Sequence, residues 1–210
     1  MVMNKETDRS VHMSKAARTR GHIIEKAAQL FNQRGYAGAS MAELMTATGL
    51  EKGGIYNHFV SKDELAIAAF DYSIRLASRR HVRALKGKQG SSEKLQAIVA
   101  AFADSFEAIS AWGGCPLMNT AIDSDDAHPA LRARAQQAMD DWRYLIRRIT
   151  QKGIKTGELV PSTDADAVAT IMIATLEGAL MLAKLYGDRT HLDRAKTHLN
   201  IYIDSLHAPL

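Results

Sequence analysis

The chain has 210 residues, 46% hydrophobic and 24% charged, so it is long enough for one large domain or for a small domain fused to a medium one. Its single cysteine, Cys115, excludes an internal disulfide framework, and the first residues lack the apolar stretch of a secretory signal, so we expect a cytoplasmic protein. The net charge of +4 lies in residues 1–62, where nine Lys and Arg stand against five Asp and Glu; this favours a nucleic-acid partner, although a solvated charged face has a similar pattern.

The first residues divide into an arm and two helices. Residues 1–13 are polar and without pattern, and we expect them to form a flexible arm. Apolar residues then recur at helical spacing over residues 14–34, and Gly35 is predicted to end this first helix. Ser40 with Glu43 forms a capping box that opens a short second helix.

The next segment, residues 51–59, reads EKGGIYNHF and follows a turn at Gly49. At 100° per residue, Ile55 and Phe59 share one face of a helix and Asn57 lies on the opposite face, so the apolar side is predicted to pack inward. Two short helices joined by a glycine turn form a helix-turn-helix, whose second helix enters the major groove of DNA. The alternative is a small apolar core under a surface loop.

The side chains predicted to contact DNA differ in chemistry. Asn57 accepts and donates in one plane, which suits an adenine edge or a phosphate. Lys52 reaches a base or the backbone, and two glycines at the front of the segment allow the duplex to come close. The predicted DNA-binding residues are Ser40, Lys52, Gly53, Gly54, Tyr56, Asn57, His58 and Lys62, with Tyr56, His58 and Lys62 assigned to phosphates.

Six further helices are predicted, over residues 61–86, 92–111, 117–122, 129–155, 164–186 and 192–206. No stretch has the pattern of a strand, so nine helices and an all-α fold are expected. Residues 165–186 are long and apolar enough to cross a bilayer, but Asp166, Glu177 and Lys184 interrupt them, which favours a buried helix and no membrane partner.

About a quarter of the chain, residues 19–72, closely resembles the N-terminal domain of the tetracycline-repressor (TetR) family of bacterial transcription regulators. Glu51 is a departure, because a serine is common at this place in the family, and it brings a negative charge near the duplex. The matching residues are Ile24, Ala27, Phe31, Gly35-Tyr36, Gly49-Leu50, Lys52-Gly53, Tyr56-x-x-Phe59 and Ser61-Lys62.

This resemblance implies an all-helical protein with two parts. A three-helix, helix-turn-helix DNA-binding head would occupy residues 14–62, and a C-terminal helical bundle for effector binding and dimerisation would occupy residues 63–210. The resemblance also implies a homodimer on a double-stranded, palindromic DNA operator, with repression relieved by an unknown small molecule. Residues 113–142 resemble a C-terminal subtype of the family, which does not name a ligand.

A cavity between helices is the usual place for an effector in such a bundle. Each apolar candidate for the cavity wall can equally be an ordinary core residue. Glu177 can be a polar anchor for a ligand, or it can lie at a dimer interface or on an exposed side of its helix. A helix N-terminus after Cys115 would lower the pKa of its thiol and favour a redox sensor; the alternative is a small buried residue. The candidates for the effector pocket are Phe102, Phe106, Trp112, Cys115, Met118, Trp142, Met172, Glu177 and Met181.

Four residues near a proline, Asp123, Asp125, Asp126 and His128, have side chains that metals bind. Such clusters more often form solvated helix caps, and no Cys and His ligand spacing occurs elsewhere, so no metal site is predicted.

The last two predicted helices carry the expectation of a homodimer. Helix 164–186 is apolar on too many sides for a surface helix, and its small residues allow close approach. The final helix adds an apolar stripe. The small residues are Ala174, Gly178 and Ala183, and the stripe is Leu192, Leu199, Ile203 and Leu206.

We consider three classes of function for this sequence. The leading one is a ligand-responsive repressor. An enzyme lacks support, because the sequence contains no nucleophile, base and acid set, no phosphate-binding glycine loop and no dinucleotide fingerprint, and no cofactor is expected. The third class is a DNA-binding activator or accessory factor without effector control, which release of the operator by an effector would separate from the first.

Overall fold

The computed structural model describes residues 14–124 and 128–208, and all its regular elements are helices, which confirms the all-α prediction. The predicted arm, residues 1–13, and the residues Asp125 and Asp126 lie outside the described residues. The helices are α1 (Lys15–Gly38), α2 (Met41–Thr48), α3 (Lys52–Tyr56), α4 (Lys62–Leu85), α5 (Ser91–Ala103), α6 (Phe106–Ala111), α7 (Pro116–Asp123), α8 (Pro129–Lys155), α9 (Ala165–Tyr186) and α10 (Thr190–Ser205).

The prediction of a single helix over residues 92–111 is wrong, and the described part of the chain therefore has ten helices instead of nine. The break falls between α5 and α6, at Asp104 and Ser105. The Ser105 hydroxyl donates to the carbonyl of Ala101 at 2.7 Å, a local bond that competes with helix hydrogen bonds. The Asp104 carboxylate is held by Lys196 of α10 at 3.1 Å. The break thus lies beside an ion pair between residues 92 positions apart in the chain, which a local pattern cannot predict.

The N-terminal three helices and the start of α4 enclose one apolar core. Leu44 of α2 and Ile55 of α3 are buried in it against Ile23 and Ala27 of α1. Gly35 leaves the helical region at φ 74°, which confirms the predicted interruption of the first helix, although the element continues to Gly38. The resulting unit is a three-helix head whose second and third helices are joined by a tight turn.

Helices α5 to α10 enclose a second, larger core together with α4. The apolar stripe of α10 packs in this core: Leu192, Leu199 and Ile203 are fully buried within their own chain, and Leu206 is partly buried. The expectation that this stripe lies on a dimer interface is therefore wrong. Helix α10 turns it toward α5 and α9, since those helices have apolar faces that need the same cover.

Helix α4 belongs to both cores. Its residues Leu65 and Ala69 pack in the head, whereas Ala66 and Phe70 pack in the larger core. A capping hydrogen bond from the Glu64 amide to the Ser61 hydroxyl starts the helix where the sequence predicts it. Helix α4 begins at Lys62, and the predicted domain boundary between residues 62 and 63 stays a prediction.

Candidate nucleic-acid interface and effector cavity

The turn between α2 and α3 has the geometry expected of a helix-turn-helix. The Ser40 hydroxyl accepts from the Glu43 amide at 3.2 Å, and the Glu43 carboxylate accepts from the Ser40 amide at 2.8 Å, so the predicted capping box is present. The bond from the Ser40 amide, and then one that the Ser40 hydroxyl donates to the same carboxylate, lower the pKa of Glu43. Gly49 ends α2 in the left-handed region, at φ 69°, and allows α3 to begin three residues later.

The inward and outward faces of the third helix agree with the prediction. Ile55 and Phe59 are buried, whereas Lys52, Tyr56 and Asn57 are exposed. The helix is shorter than the pattern indicates, because α3 ends at Tyr56 and Asn57 is its C-terminal cap. A row of exposed polar side chains therefore lies at the surface of the head.

The two glycines and His58 have different surroundings. Gly53 is exposed, with open space where a Cβ atom would stand. A Cβ on Gly54 would lie 3.5 Å from the Cβ of Leu50, so Gly54 faces the turn instead of solvent. His58 lies just beyond α3 and is half-buried. Gly53 is thus the glycine that leaves room for another molecule.

Lys62 has a structural role that the sequence does not reveal. Its ammonium donates to the carbonyl oxygen of Tyr36 at 2.7 Å and lies 4.4 Å from the centre of the Tyr36 ring. Tyr36 in turn donates its hydroxyl to Asp63 and its amide to Asp123, the latter at 2.7 Å. Burial, then the hydrogen bond to Asp63, raises the pKa of Tyr36 to about 12. Lys62 is held at the junction of head and bundle, and a phosphate contact by it stays a prediction.

Asn32 of α1 forms a second junction between head and bundle. Its side-chain amide donates to the carbonyls of Trp112 and Gly114, at 2.6 and 2.9 Å. Asn119 of α7 donates to the side-chain oxygen of Asn32 at 3.0 Å and to the carbonyl of Gly113 at 3.1 Å. The Lys184 ammonium also donates to that carbonyl. These bonds join α1 to the loop before α7.

The predicted helix caps near the proline are present in part. His128 accepts from the Leu131 amide through Nδ1 at 3.1 Å and so caps α8, but it is buried instead of solvated. Its Nε2 lies 3.7 Å from a carboxylate oxygen of Asp63. Asp123 accepts the Tyr36 amide. In residues 14–124 and 128–208, no group of three His, Cys, Asp or Glu side chains is arranged to hold a metal ion.

A cavity of about 190 Å³ lies between α4, α5, α7 and α8. Three of the predicted pocket residues line it: Phe102, Cys115 and Trp142. The rings of Phe102 and Trp142 stack with their centres 5.9 Å apart, and the ring of His81 of α4 also stacks with Trp142, at 5.5 Å. The wall is mostly apolar, which agrees with the general character of ligand cavities.

The other six predicted pocket residues do not line this cavity, and their part in an effector site stays a prediction. Met172 is fully buried core, and Phe106 and Met118 pack at the edge of the larger core. Trp112 packs against the core of the head. Met181 is 50% exposed on α9. Glu177 contacts Cys115 of the cavity wall but does not itself line the cavity.

Helix α4 contributes a wall of the cavity that the sequence did not predict. Ile74, Ala77, His81 and Leu85 line the cavity, and they recur at spacings of three and four residues, which places them on one helix face. Arg80 also lines it. The apolar spacing could have indicated a buried face of α4, but the cavity beside that face depends on how α8 packs against it.

Cys115, in the cavity wall, and Glu177 form a buried pair. Burial raises the pKa of the Cys115 thiol well above its ordinary value, and the neighbouring Glu177 carboxyl raises it further. The backbone N–H groups of Met118 and Leu117 lower it, but less. The prediction that the helix N-terminus favours a thiolate is therefore wrong, because desolvation outweighs the helix end.

Glu177 is expected to make the stability of the protein depend on pH. It is 8% exposed; burial raises its pKa from 4.5 to about 7, and the contact with Cys115 lowers it. The folded state then holds a proton that the unfolded state loses, so the free energy of unfolding should fall as pH rises from 4.5 to about 7 and level off above it. We expect Glu177→Gln to remove a fall on the order of 3 kcal/mol.

Urea unfolding at a series of pH values measures this effect. Glu107→Gln is the control, because Glu107 is exposed and its lowered pKa places its titration below this window. A wild-type slope that persists in Glu177→Gln would show that another group titrates.

One face of α9 is apolar and uncovered. Ile171, Met181 and Leu185 are 38%, 50% and 71% exposed, and Ala174 is exposed between them. Gly178 continues the row, with nothing within 4 Å of an added Cβ. In the described part of the chain α9 is the one helix with the length and hydropathy of a membrane span, and half of that window is buried inside the protein. Because half of that stretch is buried inside the protein, its exposed apolar face favours contact with another protein surface over a bilayer.

Two family models match the chain. The one described as "Tetracyclin repressor-like, C-terminal domain" covers residues 91–199, and the one described as "Bacterial regulatory proteins, tetR family" covers residues 23–69. The chain belongs to the TetR family of bacterial regulatory proteins. The first match covers the bundle with its cavity and the second covers the helix-turn-helix, so both parts of this TetR-family protein are accounted for.

Known proteins are similar to this chain along most of its length. A TetR transcriptional regulator from Chloroflexus aurantiacus J-10-fl is 45% identical, with a TM-score of 0.89 over 93% of this chain and 98% of that one. A TetR-family regulator from Cytophaga hutchinsonii is 36% identical, with a TM-score of 0.87 over 94% and 99%. The transcriptional repressor DhaR of Mycobacterium sp. strain GP1 is 26% identical over 179 residues, 85% of this chain and 88% of that protein.

The predictions of the family, of the helix-turn-helix head with its helical bundle, and of a regulator instead of an enzyme are thereby confirmed. This TetR-family protein is a DNA-binding transcription regulator.

Proposed function

We propose that this protein is a repressor that binds a palindromic operator as a homodimer in the cytoplasm and is released by a small molecule bound in the cavity beneath α4. The observation that carries the proposal is the double role of α4. Its first turns pack in the core of the head, and residues 74–85 form one wall of the cavity. A ligand that displaces this wall also moves the head.

The proposed DNA contacts come from the exposed residues at the surface of the head. Asn57 reads a base edge, and Lys52 and Tyr56 contact the backbone on either side of the groove. Gly53 leaves room for the duplex, and Ser40 stands at the start of α2 with its hydroxyl exposed. The remaining predicted contacts, Gly54, His58 and Lys62, are less exposed and are proposed as weaker contributors.

Two heads read two half-sites, which requires a partner surface. The uncovered apolar row on α9 supports a dimer interface there, and Ile201 is a further exposed apolar residue, 64% exposed, on the last helix. A palindromic operator mirrors the twofold symmetry of such a dimer, with half-sites about 34–36 Å apart or a multiple of this distance. A small tilt of α4 in each protomer then changes the spacing of the two reading surfaces, and operator affinity falls.

Replacement of Leu185 with alanine is expected to weaken the dimer. Each protomer loses about 1 kcal/mol of apolar burial at the interface, so the dissociation constant of the dimer should rise about 30-fold. Sedimentation over a range of protein concentrations measures it. Val82→Ala is the matched control, since Val82 is 69% exposed on α4, away from the proposed interface. Equal dimerisation of Leu185→Ala and Val82→Ala would contradict an interface on α9.

Release of the operator by an effector distinguishes the repressor from the alternative, a DNA-binding activator or accessory factor without effector control. The test is fluorescence anisotropy of a labelled operator in the presence of compounds that bind the cavity. A compound that binds the protein and leaves operator affinity unchanged would contradict effector control and favour the alternative.

A further inference from the structure

The cavity beneath α4 has room for one small ring. Its volume is about 190 Å³, and an apolar cavity of about 150 Å³ is known to hold a benzene molecule. The stacked rings of His81, Trp142 and Phe102 line it. A single aromatic ring with a short substituent, or a short branched chain, fits these dimensions.

The cavity opens to solvent beside a basic surface. The lining residues Ser78, Val82 and Asp141 are exposed, and they mark the open end. The adjoining stretch, residues 73–88, contains six Lys and Arg and not one Asp or Glu. Arg80 belongs both to this stretch and to the cavity wall. Among the lining residues that the structure describes, Asp141 is the one carboxylate, and the surplus of Lys and Arg along this stretch favours an anion as the partner of Arg80.

Arg80 has no carboxylate partner among the described charged groups around the open end. Within the described residues its guanidinium makes no ion pair with a carboxylate. The opposing carboxylate, Asp141 of α8, accepts a hydrogen bond from Gln137 at 3.0 Å. Arg143 of the same helix donates two hydrogen bonds to the Asp166 carboxylate, at 2.7 and 2.8 Å. An arginine without a carboxylate partner on a cavity wall is a strong donor for an entering anion.

Two further side chains of the cavity wall, Trp142 and His81, carry ring nitrogens that can hydrogen-bond to a polar group of a ligand. The indole Nε1 of Trp142 is buried and has no hydrogen-bond acceptor in the part of the chain that the structure describes. Buried donors normally have a partner, and because Trp142 lines the cavity this N–H is available to an acceptor on a ligand. Burial, then the charge of Arg80, lowers the pKa of His81 to about 4, and its ring is neutral near pH 7.

We propose that the cavity binds a small organic acid whose ring or short apolar chain lies against His81 and Trp142 and whose carboxylate is held by Arg80 at the open end. This inference rests on the proposed function only in naming the acid as the effector. The binding site itself follows from the cavity, the positive surface beside it and the unpaired donors.

Calorimetric titration of the full chain with acids and their amides tests the site. The probes are benzoate, phenylacetate and 3-phenylpropionate, each with its neutral amide, and phenethylamine as the cation. We expect at least one acid to bind more tightly than its amide, and Arg80→Gln to weaken that acid about 10- to 100-fold while changing the amide little. Arg83→Gln is the matched control, because Arg83 is an exposed cation of the same helix that does not line the cavity.

Three results would overturn the organic-acid site: no acid binds, the amide or the amine binds as tightly as the acid, or Arg83→Gln weakens the acid as much as Arg80→Gln does. A second variant, Trp142→Phe, keeps an aromatic ring and removes the N–H, and it should weaken the acid by a smaller factor. The effect on DNA is measured separately, by operator anisotropy. An acid that binds through Arg80 without releasing the operator would leave the site standing and contradict the proposed effector function.

Discussion

Replacement of Asn57 with alanine is expected to abolish the preference for one base pair in each half-site of the operator. Asn57 is exposed at the end of α3, and its amide donates and accepts in the plane of a base edge. A good bidentate contact discriminates against the wrong base by about 1–3 kcal/mol. Because a dimer carries two such residues, operator binding should weaken by about 2–6 kcal/mol, whereas binding to random DNA should change little.

Lys52→Ala is the matched comparison for this result. Lys52 is exposed at the start of α3, so its loss should weaken the operator and random DNA alike and should lower the dependence of affinity on salt by about one phosphate contact per protomer. Binding of the two DNAs is measured by anisotropy at several salt concentrations. If Asn57→Ala weakens both DNAs equally, Asn57 contacts phosphate and does not read a base.

Replacement of Gly113 with alanine is expected to destabilise the junction of head and bundle strongly. Gly113 has φ +99°, where an L side chain is strained by about 1–2 kcal/mol. An added Cβ would also stand 2.8 Å from the carbonyl oxygen of Asn32, a backbone atom that cannot move aside alone. With about 1–3 kcal/mol for the clash, the free energy of unfolding should fall by about 2–5 kcal/mol.

The control for this variant separates strain from the clash. Gly87 has φ +81° and nothing within 4 Å of an added Cβ, so Gly87→Ala should lose only the 1–2 kcal/mol of backbone strain, roughly. Urea unfolding of both variants at one protein concentration gives the difference, since the stability of a dimer depends on concentration. Equal losses in the two variants would show that the contact between Gly113 and Asn32 is not tight.

Short-range patterns explain the predictions that succeeded. The capping box of Ser40 and Glu43, the left-handed turn at Gly49 and the inward face of Ile55 and Phe59 each depend on residues within about one or two helical turns. The sequence therefore contained enough information for the helix-turn-helix and for most helix boundaries.

The failures concern contacts between residues far apart in the chain. An apolar stripe on a helix indicates that the stripe is covered but does not identify the cover, and Leu199 is covered by its own chain. Met181 satisfies the same composition rules as a pocket residue and lies on the outer face of α9. The cavity wall of Arg80 and His81 arises from the packing of α4 against α8, which periodicity within either helix does not determine.

Selection of bound duplexes from a random pool tests most directly whether the protein is a dimeric reader of an operator. The purified full chain is used at a stated salt concentration, because non-specific binding to phosphates varies steeply with salt. We expect enrichment of a palindrome with two half-sites about 34–36 Å apart, or a multiple of this distance. A folded dimer that enriches no palindrome would contradict the proposed mode of binding.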